Sequence, residues 1–427
     1  MEDADLARRH RAVMPAWQAL YYDEPIALER GEGCYVWDTG GRRYLDFFGG
    51  ILTTISGHSV PQVVSAVQEQ AAKIMHSSTL YMIPSAVELA EQIAALSGIP
   101  DAKVFFTNSG TEAVEAALLL ATTARRSNQV LALRNSYHGR SFAAIAVTGN
   151  RGWSATSYSP FQVAFVQNGY RYRSPFGALD DAAFVQACAD DLRNVIETQT
   201  AGDVACLIAE PIQGVGGFTV PPDGFFAAMK AVCDEYGILF IADEVQTGWG
   251  RTGQHFWGIQ AHGVTPDALV FAKGVGNGLA LAGVVARAEL MDGVAANSIS
   301  TFGGNPLATV GALANLRFIL DNDLQGNARE VGGQLINRLS ALTAPVVGEV
   351  RGKGLMIGVE LVESGGTKPS ATAASLVLEA CRRDGLLVGK GGLYGNVLRL
   401  TPPLTLSPAQ ADEGYDILAR AINGVGG

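Results

Sequence analysis

Apolar residues along the chain change their spacing in a way that outlines a fold. From about residue 60 to 300, stretches with apolar positions every three or four residues alternate with short runs that are apolar throughout. The first kind predicts helices and the second predicts buried strands. The helical stretches are PQVVSAVQEQAAKI (61–74), SAVELAEQIAALSG (85–98, closed by Gly98), TEAVEAALLLATTAR (111–125) and GFFAAMKAVCDEYG (224–237). The strand runs are KVFFT (103–107), QVLALR (129–134), CLIAE (206–210), ILFIADE (238–244) and DALVFAK (267–273). Strands this short, apolar on both faces and separated by helices, imply a parallel sheet covered on both sides.

After GGNPLATV (303–310) the texture changes. Helices are expected from Pro306 to Leu320 and from about Asn327 to Leu342. Strand alternation follows in VVGEVRGKGLMIGVELV (346–362), then a helix (371–385), the strands LLVG and VLRLTPP, and a last helix. That helix opens with Ser407 as N-cap and Pro408 in its first turn. The region reads as a smaller α+β domain. CYVWDTGGRRYLDFF (34–48) reads as a hairpin around a Gly-Gly turn. The expected division is residues 1–57, packing with the small domain, a large domain over 58–310, and the small domain over 311–427.

Composition narrows the function classes. Of 427 residues 48% are hydrophobic and 17% charged, so the chain can bury a large core. A net charge of −10, with no Lys/Arg-rich run, argues against nucleic acid as a partner. Cys34, Cys188, Cys206, Cys233 and Cys381 are scattered and lack CxxC spacing. Reduced thiols in a cytoplasmic protein are therefore expected, with no metal site. The charged start MEDADLARRHRAVMP lacks the apolar stretch of a secretion signal, and no apolar run is long enough to span a bilayer.

The candidate chemistry lies where the strands end, because a parallel sheet gathers ligands at its carboxyl edge. KVFFT leads into Asn108-Ser109-Gly110-Thr111 at a helix start, a ready anion site, although simple helix capping would use the same residues. QVLALR is followed by Tyr137, His138, Gly139 and Arg140. CLIAE ends in Glu210, ILFIADE carries Asp243 and Glu244, and DALVFAK ends in Lys273 before a flexible GVGNG. Together these supply a phosphate cradle, an aromatic face for a flat ring, a carboxylate, and a lysine able to form an imine. Pyridoxal phosphate requires all four. Asp243 has no Lys or Arg near it before Arg251. Its cationic partner is therefore expected to be the protonated ring nitrogen of that cofactor, and Lys273 the catalytic base and tether.

In order and spacing, YVWDTGGRRYLDFFGGI, NSGTEAVE, YHGR, AEPIQGVGG, ADEVQTGWGRTG, AKGVGNG, STFGGNPLA, VRGKGLMIGVEL and LRLTPPL make the chain resemble the class III aminotransferases. Its wording is similar to the alanine–glyoxylate type 2 and 4-aminobutyrate branches. The resemblance implies the type I fold of aspartate aminotransferase, an α/β large domain with a mostly parallel seven-stranded sheet plus a small α+β domain. It implies Lys273 as the imine-forming lysine and Asp243 at the ring nitrogen. Ser109, Gly110 and Thr111 would hold the phosphate, Tyr137 and Val245 the two ring faces, and Gln246 the phenolic oxygen. His138 belongs to the same cofactor set, and Thr301 would complete the phosphate site of a neighbouring subunit. A homodimer with shared sites, alone or paired into a tetramer, follows from that. Glu210 and Arg399 resemble a switch in which Arg399 either pairs with Glu210 or clamps a substrate α-carboxylate, with Arg140 for a distal carboxylate. Ala280 stands where many relatives have proline.

The implied activity is transfer of an amino group from an amino acid, ω-amino acid or amine to a 2-oxo acid such as pyruvate, glyoxylate or 2-oxoglutarate. An epimerase, aminomutase or decarboxylating transaminase on the same fold would use Lys273 and Asp243 alike. A dinucleotide-binding reading of Gly248, Gly250 and Gly253 fails on context. Two carboxylates and VQT separate strand from glycines, and no helix clearly follows Gly253. A non-catalytic scaffold is disfavoured, because each cofactor-facing position holds a chemically competent residue.

Overall fold

The structure, a computed structural model, describes residues 3–18 and 20–425. Strands β1 (Leu28–Glu32), β2 (Tyr35–Asp38) and β3 (Arg43–Asp46) form an antiparallel meander. Its second turn is the expected hairpin: Asp38 Oδ1 accepts the amides of Gly40 (3.0 Å) and Arg42 (2.9 Å), and Gly41 takes the φ of +79° that the turn needs.

Strands β4 (Ala102–Thr107), β5 (Gln129–Leu133), β6 (Gln162–Val166), β7 (Cys206–Ala209), β8 (Leu239–Asp243), β9 (Ala268–Phe271) and β10 (Ala282–Arg287) make one seven-stranded sheet in the order β4-β10-β9-β8-β7-β5-β6. Strand β10 runs antiparallel to both neighbours, and the other pairs are parallel, as the resemblance implies. The central strands β5, β7 and β9 are buried throughout, which is why they read as unbroken apolar runs. Periodicity alone did not reveal β6, a partly exposed edge strand, or β10. Gly283 of β10 shows why that strand is rich in small residues: a Cβ there would lie 2.5 Å from the carbonyl of Phe105 and 2.6 Å from the Phe271 ring.

A third sheet follows from β11 (Val347–Lys353), β12 (Met356–Leu361), β14 (Gly389–Gly391) and β15 (Val397–Leu400), in the order β11-β12-β15-β14, while the short β13 (Leu386–Leu387) pairs in parallel with β3. The N-terminal meander and the C-terminal chain thus share a sheet. The helix Pro306–Asp321 packs on the helices Pro61–Ala71 and Pro84–Ser97 of the large-sheet layer, running across residue 310. The next helix, Leu324–Ser340, starts earlier than expected because Asp323 caps it through the amide of Gly326 (3.1 Å). Ser407 caps the last helix, accepting the Gln410 amide at 3.2 Å. Among the described residues no helix is long and apolar enough to cross a membrane, and no group of three or more His, Cys, Asp or Glu could hold a metal ion.

Candidate active site

The parallel strands leave their carboxyl ends on one edge, and a cavity of about 470 Å³ opens there. Ser109, Gly110, Thr111, Tyr137, His138, Glu210, Asp243, Val245, Gln246, Lys273 and Arg399 all line it. All but Arg399 lie at or just after the ends of five strands of the large sheet, β4, β5, β7, β8 and β9, while Arg399 is contributed by β15 of the smaller sheet.

Asp243 closes β8 and is buried. The protein supplies a partner that the sequence reading placed outside it: Oδ2 lies 2.7 Å from Nδ1 of the buried His138, and Oδ1 accepts the amide of Val245 at 3.1 Å. His138 Nε2 is buried with no hydrogen-bond partner. The adjacent Glu244 turns the other way. It accepts a hydrogen bond from the Thr247 hydroxyl and from the amides of Gly258 (2.9 Å) and Ile259 (2.7 Å), tying β8 to the turn at 258–262. Burial pushes its carboxyl up to about 7.

Lys273 starts a 3₁₀ turn with φ of +49°, a left-handed conformation that a lysine adopts only when its surroundings impose it. Burial and the Arg399 guanidinium push its amine down to about 7, against the opposing pull of Asp243 and Glu210. Glu210 is raised to about 7, chiefly by burial, with His138 opposing and Asp243 adding to the rise. Its two oxygens accept the amides of Tyr137 (2.9 Å) and Gly214 (2.7 Å). Arg399, buried on β15, donates from Nη2 to Oε1 of Gln246 at 2.8 Å and lies 4.6 Å from the ring centre of Phe218, while its Nε has no partner. In this structure Arg399 therefore pairs with Gln246 and not with Glu210.

Ser109 caps the helix Gly110–Arg125 in a reciprocal box with Glu112: its Oγ accepts the Glu112 amide at 3.3 Å and its own amide donates to Glu112 Oε2 at 3.2 Å. The plain capping role is thus real. The first-turn amides still lack partners within the helix, and a cavity in front of them suits an anion. A Cβ on Gly110 would sit 3.3 Å from Val245, so only glycine leaves this approach open without a shift. Two expected residues lie outside the cavity. Arg140 is exposed, its guanidinium 5.9 Å from the ring centre of Trp17, and Thr301 is exposed on the loop before the helix Pro306–Asp321. Sequence reasoning missed other parts of the wall: Tyr21, Phe48, Trp153, Val215 and Lys390. The Tyr21 hydroxyl donates to the Lys390 carbonyl (2.9 Å) and accepts its amide (2.6 Å), and its ring packs 5.2 Å from that of Phe48. Nothing in the local sequence around Tyr21 signals this, since the contact closes a span of 369 residues.

The donor set fits pyridoxal phosphate: a helix N-terminus for its phosphate, a buried acid for its ring nitrogen, aromatic and branched walls for its ring, and an amine of lowered basicity for its aldehyde.

The comparisons agree with that chemistry. The model of the family described as aminotransferase class-III matches residues 18–422. Alanine–glyoxylate aminotransferase 2 homolog 2 of Arabidopsis thaliana, a mitochondrial protein, is 40% identical over 96% of this chain and 85% of its own. An alanine/serine racemase of Pyrococcus horikoshii is 35% identical over 93% of this chain and 86% of its own. Among solved structures, an amine transaminase from an uncultivated Pseudomonas species, in its PLP-bound form, superposes with a TM-score of 0.89 at 33% identity, covering 97% of this chain and 98% of the other. The chain belongs to the class III aminotransferases, enzymes of the type I fold that transfer amino groups with pyridoxal phosphate.

Proposed function

We propose that Lys273 holds pyridoxal phosphate through its aldehyde, and that Asp243, oriented by His138, faces the ring nitrogen. Ser109, Gly110 and Thr111 hold the phosphate together with Thr301 of a second copy. Tyr137 and Val245 take the two ring faces, and Gln246 takes the phenolic oxygen. The observation that carries this reading is the placing of a buried acid and a lysine of depressed basicity in one cavity at the carboxyl edge of the sheet.

Bound pyridoxal phosphate supplies an aldehyde that takes up the amino group and a ring that holds the electrons left when a C–H bond breaks. The chain's own residues do the rest. Lys273 Nζ, its basicity lowered by burial and by Arg399, would accept the proton from the substrate carbon that bears the amino group. His138 Nδ1 and the Val245 amide hold the Asp243 carboxyl group in place at the cavity wall. Arg399 reads the α-carboxylate. Its present partner is the neutral Gln246 amide, so substrate breaks no ion pair to reach it. Glu210, tied to two amides, shapes the pocket beside it. Arg140, at the rim, meets a distal carboxylate.

The donor on this reading is an amino acid, ω-amino acid or amine, and the acceptor is pyruvate, glyoxylate or 2-oxoglutarate. The Arabidopsis relative's name supports the glyoxylate pair. A homodimer is part of the same proposal. Thr301 is exposed and outside its own cavity, and Leu80 (74%), Tyr81 (72%) and Met82 (96%) leave an apolar stretch uncovered in the single chain. A cytoplasmic location completes it.

One relative is named a racemase, so the test must separate transfer from inversion. With amino donors supplied one at a time and no acceptor, the protein-bound cofactor is expected to convert to its amine form, followed by its spectrum, with release of the donor's carbonyl product, a 2-oxo acid from an α-amino acid and an aldehyde or ketone from an ω-amino acid or amine. Adding a 2-oxo acid should then restore the first spectrum. A spectrum that never leaves the aldehyde form while the donor's stereochemistry inverts would replace this reading with racemisation.

A further inference from the structure

The helix Pro306–Asp321 carries an asparagine where its apolar face meets the core. Asn315 is fully buried (0% exposed) among Ala312, Leu316 and Ile319. A buried amide in such surroundings costs free energy unless its donors and acceptor are met. Here they are met, and by one feature. Nδ2 donates to the carbonyls of Gly274 (2.8 Å) and Val275 (3.2 Å), the two residues that follow Lys273. Oδ1 accepts the hydroxyl of Ser56 at 2.6 Å. A second asparagine secures the same turn from within. Asn277 Oδ1 accepts the Ser56 amide (3.0 Å), and its Nδ2 donates to the Gly57 carbonyl (3.0 Å). Four hydrogen bonds thus fasten the turn after Lys273 to the segment 56–57 and to a buried helix, and a fifth, from Ser56 to Asn315, ties those two anchors together.

That turn needs fastening. Lys273 has φ of +49° and Asn277 φ of +45°, both in the left-handed region. Non-glycine residues persist there when neighbouring contacts impose the conformation. Gly274 is confined as well: a Cβ on it would lie 2.9 Å from both Ile55 and Trp249.

The geometry points to Asn315, with Ser56 and Asn277, as positioning residues for Lys273: they hold its backbone so that the amine meets the reacting atoms in one fixed orientation. None of the three side chains needs to touch cofactor or substrate. This inference rests on the assignment of Lys273 given above. It adds that the base is oriented by a polar clamp from the opposite side of its turn.

The test compares native holoenzyme with Asn315→Leu, which keeps the branched shape and removes the N–H donors and the acceptor, and with Ser56→Ala and Asn277→Ala. Three quantities are read: the pH midpoint of the visible cofactor band, the rate of pyridoxal phosphate release into excess scavenger, and kcat against KM. Asn315→Leu is expected to move the band midpoint and hasten release, with kcat falling about 10- to 100-fold and KM for the amino donor changed far less. Ser56→Ala and Asn277→Ala should do the same more weakly. A folded Asn315→Leu protein with native band midpoint, release rate and kcat would overturn the clamp. If that variant is insoluble, Ser56→Ala and Asn277→Ala decide by the same readings. A native protein without any visible band would instead remove the assignment of Lys273.

Discussion

Two buried polar regions, one a seam where β11 and β12 meet the segment 170–173 and one on the cavity floor, surround their charges with different partners. In the seam, Glu360 on β12 meets two arginines: Arg351 Nη1 at 2.8 Å and Arg173 Nε at 2.7 Å, with Asn396 at 3.3 Å, the Tyr170 hydroxyl on the same carboxylate and Glu349 on Arg351. Every formal charge there has its opposite beside it. On the floor, Arg399 faces a neutral amide, Glu210 faces two backbone amides, and Nε2 of His138 faces nothing. Burial raises Glu360 and Glu210 alike to about 7 and lowers Lys273 to about 7, so the two regions differ in their partners rather than in how burial shifts the acid. Completed charge pairs make the seam a structural joint. On the floor Asp243 and His138 are paired, whereas Arg399 and Glu210 meet only neutral groups, a pattern common at binding sites.

The same contrast appears between neighbours in one strand end. Glu244 uses its carboxylate on three donors of its own chain and closes a turn away from the cavity, whereas Asp243, held by His138 and the Val245 amide, lines the cavity.

Breaking the floor should cost function rather than fold. Lys273→Ala is expected to abolish turnover while the thermal midpoint of the apo protein stays near native. Residual turnover of a substantial fraction of native would contradict the role of its amine. In the seam the effects should reverse. Glu360→Leu leaves Arg173 without its carboxylate and Arg351 with Glu349 alone, and loss of one partner of a buried pair costs about 3–5 kcal/mol. Thermal and urea unfolding should show that loss, with kcat of the folded enzyme changed much less.

Arg399→Ala should come next in size. A hydrogen bond to a charged group contributes about 1.5–3 kcal/mol, so kcat/KM for the 2-oxo acid should fall about 10- to 100-fold. The half-reaction with a simple amine, which has no carboxylate, should fall less. Equal losses in both would remove Arg399 as the carboxylate reader.

The smallest effect sharpens the electrostatics. Only the uncharged Lys273 amine attacks an aldehyde, and its pKa is lowered to about 7. Association of pyridoxal phosphate with apo protein should therefore quicken as pH rises through about 7 and level off above it, well below the ordinary lysine range. Arg399 is one of the causes of that lowering, so Arg399→Ala should shift the rise to higher pH. A rise unmoved by the substitution would show that burial alone sets the amine.

Much of this was legible before any coordinates. The strand runs and the residues that end them placed Ser109, Tyr137, Glu210, Asp243 and Lys273 on one edge, because a parallel sheet allows no other arrangement of its carboxyl ends. What stayed hidden depends on contacts between distant segments. The partner of Asp243 lies 105 residues away in His138. Tyr21 and Lys390 meet across 369 residues. The Arg399–Gln246 bond depends on which of several nearby polar groups the guanidinium meets, a choice that residue order does not encode. The strand β10 went unread because its small residues answer to the close approach of Phe105 and Phe271 rather than to any periodic pattern.

The central claim is that the amine of Lys273 is the group that carries the cofactor in front of Asp243. Reducing the holoenzyme with borohydride and mapping its peptides by mass spectrometry tests this directly. The account predicts one modified peptide, carrying the reduced cofactor on Lys273 and nowhere else. A modification on any other lysine, or none on a protein that still turns over, would contradict it.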